Sequence, residues 1–332
     1  PVVIIGAGIG GLVSAALLAA RGVPVMLVEQ ADYPGGKARQ LPVGEVMVDA
    51  GPTVFTMRPV IDAIFAEAGA ATDDHVTLRR ATRLARHAWG TDERLDLFAD
   101  FEESCDAIAA FAGAKAAEGY RSFAAEARRI HDILDKSFLQ NSKVYPPGLM
   151  WRIGLWRIGA LLAIRPYESL WKVLGEHFAD PRLRQLFGRY TTYCGSSPFK
   201  TPATLMLIAH AEAQGVWEIV GGISALAQAL ANVAAANGAT LRYGASVAQI
   251  LTARGRASGV VLASGERLAA SSVLFNGDPA ALGAGLLGPD VCAAARVTPV
   301  KARSLSAMVW LAHARTSGFD LAHHNVFFSA DY

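Results

Sequence analysis

The chain has 332 residues, enough for about two domains, with 52% hydrophobic and 18% charged residues and a net charge of +2. That charge makes no electrostatic case for a nucleic-acid partner. No run of about 18 apolar residues reads as a membrane span, so a mean hydropathy of +0.28 implies a large core or a functional apolar surface.

Pro1–Ile5 reads as a short buried strand. Gly6, Gly8 and Gly11 follow as G-x-G-x-x-G, and a run of helix formers extends from Leu12 to Gly22. In such a motif the first glycine allows a tight turn and the second lets the backbone approach a pyrophosphate. The third lets the helix pack close to the sheet. The anion then lies at the helix N-terminus, where free N–H groups and the dipole favour it. Val25–Glu29 reads as the next strand. Glu29 stands eighteen residues after Gly11, where an acid meets ribose hydroxyls. Strand, glycine turn, helix, strand and acid in this order predict a Rossmann unit. At this point the nucleotide could be NAD or FAD.

The next stretch departs from a simple nicotinamide dehydrogenase. Pro34-Gly35-Gly36-Lys37 makes a second glycine turn, and a hairpin around Gly44 leads to Asp49-Ala50-Gly51-Pro52-Thr53. A helix is expected over 58–69, then short strands at 76–78, 84–89 and 95–98. From 101 to 214 the pattern is almost wholly helical, with expected helices at 101–117, 120–140, 150–164, 168–178, 181–190 and 202–214. Trp217–Val220 returns to strand, Gly221-Gly222 opens a helix, and strands follow at 240–242, 246–252, 257–263 and 271–275. A long alternating strand is expected from Pro299 to His313. The segment 149–164 places Leu149, Ile153, Trp156 and Ala160 on one helix face. It suits either a membrane interface or a core helix with two snorkelling arginines, Arg152 and Arg157.

Cys105, Cys194 and Cys292 are odd in number and hold no C-x-x-C. Three buried thiols in a reducing compartment are expected, without disulfides. The eight histidines form no H-E-x-x-H and no metal site is expected. His323-His324 is expected to have a loop or structural role. There is no nucleophile elbow, no P-loop and no second G-x-G-x-x-G. Nothing before the first strand reads as a signal peptide. The sequence opens within a strand and stops just after another, Val326–Ser329, so it is expected to be a piece trimmed at both ends.

The extended fingerprint of the first fifty residues resembles the amine oxidase and phytoene desaturase superfamily of FAD proteins. Asp49–Thr56, Tyr190–Pro198, Pro202–Met206, Val216-Trp217 before Gly221-Gly222, and His323–Ser329 resemble its bacterial carotenoid desaturases. Met57-Arg58 is similar to the 1-hydroxycarotenoid 3,4-desaturase branch. The resemblance implies an α/β fold, a Rossmann-like FAD-binding domain with a helical cap and a substrate sheet, truncated at the C-terminus. Residues 1–72 would begin the FAD-binding domain, 73–100 supply substrate-domain strands and 101–215 form the cap. Residues 216–285 would return to the FAD-binding domain, and 286–332 hold further, incomplete substrate-domain strands.

The resemblance also implies FAD as cofactor, an acyclic carotenoid as substrate, and a peripheral position on the cytoplasmic side of a lipid bilayer. Gly6, Gly8, Gly10 and Gly11 would hold the pyrophosphate and Glu29 the adenosine ribose. Gly36 and Lys37 would lie along the cofactor, and Gly51, Pro52 and Thr53 near the flavin. The Val247 backbone would meet the adenine. Family members end with another glycine-rich segment over the flavin, which has no match here. No catalytic acid or base and no electron acceptor can be named. A phytoene desaturase, another flavin amine oxidase-like enzyme, and a non-redox prenyl-lipid carrier of the GDP-dissociation inhibitor type are the alternatives.

Overall fold

The computed structural model describes residues 1–139 and 158–330. Most of the apolar segment 149–164 therefore lies outside the described residues, of which the helix Ile158–Ala163 is described. The chain divides into two compact units. One contains residues 1–79, 217–303 and 308–315, the other 80–216, 304–307 and 316–332.

In the first unit, β1 (Val2–Ile5), α1 (Ile9–Ala20) and β2 (Val25–Val28) follow in sequence. A four-stranded sheet runs in the order Ser272–Phe275, β1, β2, Thr240–Arg242, and every pairing is parallel. Such a sheet must be covered on both faces, and alternation along β1 shows how. Ile4 and Leu27 pack with Leu12, Ala15 and Ala16 of α1 and with Leu226 and Leu230 of the helix Ile223–Ala236. Val3, Ile5 and Val28 face the other way, onto Ile250, Val260 and Leu262. Those three belong to an antiparallel sheet of Val247–Ala253, Arg256–Leu262 and Arg267–Ala269. Complete burial of a leucine such as Leu12 or Leu27 contributes about 2 kcal/mol. The hairpin β3 (Gln40–Val43) and β4 (Val46–Asp49) turns at Gly44, which has φ +62°.

The second unit has a three-stranded sheet. Arg83–Trp89 lies at its centre, antiparallel to Glu93–Phe98 and parallel to Asn325–Phe328. Helices make up much of the rest of its described residues. Phe101–Ala112 is capped by Asp100, whose carboxylate accepts the Glu103 N–H at 2.9 Å. It ends at Gly113 (φ +91°), and Ala114–Leu134 starts at once. The break thus falls before the expected 117, because Gly113 supplies a conformation that other residues resist. Phe123, Phe178 and Phe187 pack around one another, with Tyr120 stacked on Phe187.

Two other expectations are corrected. The segment 299–313 is no strand: a 3-10 turn at Val300–Ala302 precedes extended chain without ladder partners among the described residues. A strand exists only through such partners, and Met308 and Trp310 stand 79% and 85% exposed. Of the three thiols only Cys105 is buried; Cys194 is exposed and Cys292 half-buried. The His323-His324 pair lies in loop, as expected, and the His324 carbonyl accepts the Arg86 N–H at 2.9 Å.

Candidate cofactor site

The glycine motif forms the turn from β1 and the first turn of α1, which begins at Ile9 rather than Leu12. Gly6 has φ +100°, a conformation that favours glycine. A Cβ on Gly11 would run into the Gly6 carbonyl oxygen. Gly8 caps α1 with extended backbone and no side-chain hydrogen bond. The first N–H groups of a helix have no acceptor within it. Here no side chain replaces one, so they are free to receive an anion.

The second glycine turn is docked on the first. The Gly35 N–H donates to the Ala7 carbonyl at 2.8 Å, and Gly8 and Gly35 form a parallel bridge. A Cβ on Gly36 would lie 3.1 Å from the Gly8 Cα. Gly51 meets the Lys37 carbonyl so closely that a Cβ there has no room. Gly6, Gly8, Gly10 and Gly11 of the first turn thereby lie against Gly36, and Gly51 against Lys37 next to it. Pro52 and Thr53 continue from Gly51 as exposed chain.

Glu29 follows β2 directly and is buried. Its Oε2 accepts the Ala7 N–H at 2.6 Å and its Oε1 the Ala31 N–H at 2.9 Å. Each carboxylate oxygen keeps capacity for one more donor, as two ribose hydroxyls would require. The Glu29 carbonyl accepts from Ala245 N at 2.7 Å and the Ala31 carbonyl from Gly244 N at 3.0 Å. These bonds bring the strand that opens at Val247 alongside Glu29. The Tyr243 hydroxyl is buried without a hydrogen-bond partner among the described residues. Burial, and then the Glu29 charge, push its pKa up, so it stays a neutral donor.

Sequence reading missed two residues. Asn276 follows the strand Ser272–Phe275 and lays its amide over the glycine turn, with Nδ2 donating to the Gly6 carbonyl at 3.3 Å. A Cβ on Gly10 would come within 2.8 Å of its Oδ1. Asp49 reaches the helix Ile223–Ala236, where Oδ2 accepts the Ile223 N–H at 3.2 Å. Both contacts join distant parts of the chain: Asn276 stands in no local motif, and the run that Asp49 opens does not announce its contact with Ile223.

The second unit holds a buried polar group of its own. The Tyr190 hydroxyl donates to Glu212, and Arg189 Nη2 lies 3.6 Å from the other Glu212 oxygen. Burial, then the Glu212 charge, hold the Tyr190 phenol well above its ordinary pKa. The neutral phenol therefore donates to Glu212, while Arg189 Nε and Nη2 are buried without a hydrogen-bond partner among the described residues.

A parallel sheet, a glycine turn at an uncapped helix and an acid at the end of the next strand define a dinucleotide-binding protein of the Rossmann class. The second glycine turn, folded onto the first, fits FAD. The chain belongs to the flavin-containing amine oxidoreductase family, whose pattern matches residues 9–308. It is 51% identical over 333 aligned residues to a hydroxyneurosporene desaturase of Rubrivivax gelatinosus, covering 100% of this chain and 63% of that protein. It is 31% identical to a lycopene-forming phytoene desaturase of Pseudescherichia vulneris, covering 99% of this chain and 66% of that one. An oxidoreductase of Methanosarcina mazei shares the fold at 18% identity, with a TM-score of 0.56 over 89% of this chain and 61% of its own. The chain thus spans a little under two thirds of the length of these relatives.

Proposed function

We propose that the chain is the larger part of an FAD-dependent carotenoid desaturase, an oxidoreductase acting on CH–CH bonds in carotenoid biosynthesis. Its substrate is an acyclic carotenoid with a 1-hydroxy or 1-methoxy end, and the product gains a 3,4 double bond. Much higher identity to the hydroxyneurosporene desaturase than to the phytoene desaturase carries this reading. FAD, when bound, supplies the acceptor for a hydride from an allylic carbon.

The chain's own residues bind and orient. First-turn N–H groups at Gly10 and Gly11, with the backbone of Gly6 and Gly8, hold the pyrophosphate. The Asn276 amide flanks it. The Glu29 carboxylate, aimed by Ala7 and Ala31, accepts the ribose hydroxyls, and the Val247 backbone meets the adenine. Gly36 and Lys37 line the cofactor's length, while Gly51, Pro52 and Thr53 approach the flavin. The conjugated polyene would delocalise the charge left by hydride loss, so that a weak acceptor such as water suffices for the adjacent proton.

Residues 1–72 and 216–285 are the FAD-binding domain in this reading. Residues 73–100, the cap 101–215 and the strand Asn325–Phe328 belong to the substrate domain. No helix among the described residues is long and apolar enough to cross a membrane. The proposed location is peripheral, on the cytoplasmic face of a bilayer that delivers the polyene. The test is to give the complete protein 1-hydroxyneurosporene in lipid vesicles. Absorption should move to longer wavelength. An unchanged spectrum with flavin bound would overturn the substrate assignment.

A further inference from the structure

A cluster in the second unit takes no part in the proposed flavin chemistry. His131 and Asp132 are consecutive near the end of the helix Ala114–Leu134, and His210 lies on the helix Leu207–Ala213 packed against it. The two imidazole rings are 4.8 Å apart between centroids and inclined at 60°. One potential ligand atom from each of the three side chains lies within 4.8 Å of the other two.

His131 is 6% exposed, and its Nδ1 is fully buried without a hydrogen-bond partner among the described residues. A buried nitrogen without a partner carries a desolvation cost that a ligand would remove. Asp132 Oδ1 stands 3.5 Å from this nitrogen, beyond a good hydrogen bond. Its other oxygen faces Arg128 at 3.8 Å.

We propose that His131, Asp132 and His210 form a divalent transition-metal site that joins the two helices. Two imidazoles and one carboxylate suit Zn²⁺ over Mg²⁺ or Ca²⁺, which prefer all-oxygen shells. Tetrahedral coordination at about 2.0–2.1 Å spaces ligand atoms about 3.3 Å apart. Exposed Asp132 and half-buried His210 can close the remaining gap by side-chain rotation. Three protein ligands leave a fourth position for water. The ligands come from two helices remote in sequence, so no spacing motif announces them.

The test is calorimetric titration of the tag-free, FAD-loaded protein with Zn²⁺ after chelator dialysis, alongside thermal unfolding. The expected result is one Zn²⁺ per chain, undisturbed by excess Mg²⁺, with a raised unfolding temperature. His210→Gln and Asp132→Asn should each weaken binding by roughly tenfold or more, since each removes one of three ligands. His210→Gln should also abolish the thermal shift while leaving the circular dichroism spectrum unchanged. Absence of saturable Zn²⁺ binding overturns the proposal. So does full affinity in either variant, which would assign the ion to other side chains.

Discussion

Glu29 Oε2 accepts the Ala7 N–H at 2.6 Å, and this bond ties the end of β2 to the turn between Gly6 and Gly8. The same carboxylate holds Ala31 through its other oxygen. One side chain therefore sets the shape of the turn and, in the proposed function, presents the ribose acceptor. Glu29→Gln keeps the size and loses the charge. Hydrogen bonds to a charged group are worth about 1.5–3 kcal/mol, so FAD affinity should fall by about ten- to a hundredfold. Flavin fluorescence titration of the apo-protein measures this. Wild-type affinity in the variant would remove Glu29 from the ribose site.

Gly10 and Gly11 are neighbours with different constraints. A Cβ on Gly11 meets the backbone oxygen of Gly6, which cannot yield without moving the turn. A Cβ on Gly10 meets only the Asn276 amide at 2.8 Å, a side chain that can rotate. Gly11→Ala should destabilise the protein by about 1–3 kcal/mol even without flavin, as overpacking does. Gly10→Ala should leave stability near wild type, with a helix-propensity gain of up to about 1 kcal/mol to set against the contact. Its loss should appear in FAD affinity, because the methyl would stand where the proposed site places the pyrophosphate. Urea unfolding of the two apo-variants separates the effects, and equal destabilisation would sink the distinction.

The β1–α1–β2 core was legible because its signals are local. An apolar run, three glycines and an acid lie within twenty-nine residues. Asn276 and Asp49 were not legible, since their contacts span 270 and 174 residues and depend on the completed sheet. The alternation of 304–311 was equally clear, yet alternation records only a tendency. Among the described residues the backbone there is tied to the rest by one bond, Leu305 N–H to the Gly195 carbonyl at 2.9 Å, and one bond does not make a ladder. The cluster of His131, Asp132 and His210 was hidden for the same reason as Asn276. Helix packing, not spacing along the chain, brings its members together.

Asp49 caps a helix from far away in sequence. Gly222, the N-cap of the helix Ile223–Ala236, has no side chain with which to cap it and offers only its carbonyl, to the Ala225 N–H at 3.1 Å, while Asp49 Oδ2 takes the Ile223 N–H. A Cβ on Gly222 would crowd both Asp49 oxygens, at 2.5 and 2.6 Å, so glycine there is the condition for the cap. A carboxylate at this end also meets the positive end of the helix dipole. Asp49→Ala should cost about 1 kcal/mol of stability, in the range of lost N-caps. Asp49→Asn should recover the hydrogen bond and lose only the charge effect. Chemical denaturation of both variants tests the order. A loss in Asp49→Asn as large as in Asp49→Ala would show that charge, not the hydrogen bond, is the main contribution.

His87 makes the stability of the second unit depend on pH. It lies at the centre of the sheet, fully buried, with Nδ1 3.2 Å from the Leu95 carbonyl and Nε2 without a partner among the described residues. Burial, and then the charge of Arg189, hold its pKa well below the ordinary value of 6.5. The unfolded chain therefore takes up a proton as pH drops through about 6.5, and the folded chain does not. Stability is fully present above that pH and declines below it, by at most about 1.4 kcal/mol per pH unit for one imidazole. His324 and His210, also held low by burial first, add slopes of the same sign. His87→Phe suits the aromatic stack with Trp89 and Phe328 and removes the titrating group. Between pH 8 and pH 5 its unfolding midpoint should fall less steeply than that of wild type. Parallel slopes in the two proteins would mean that His87 is not the origin of the acid sensitivity.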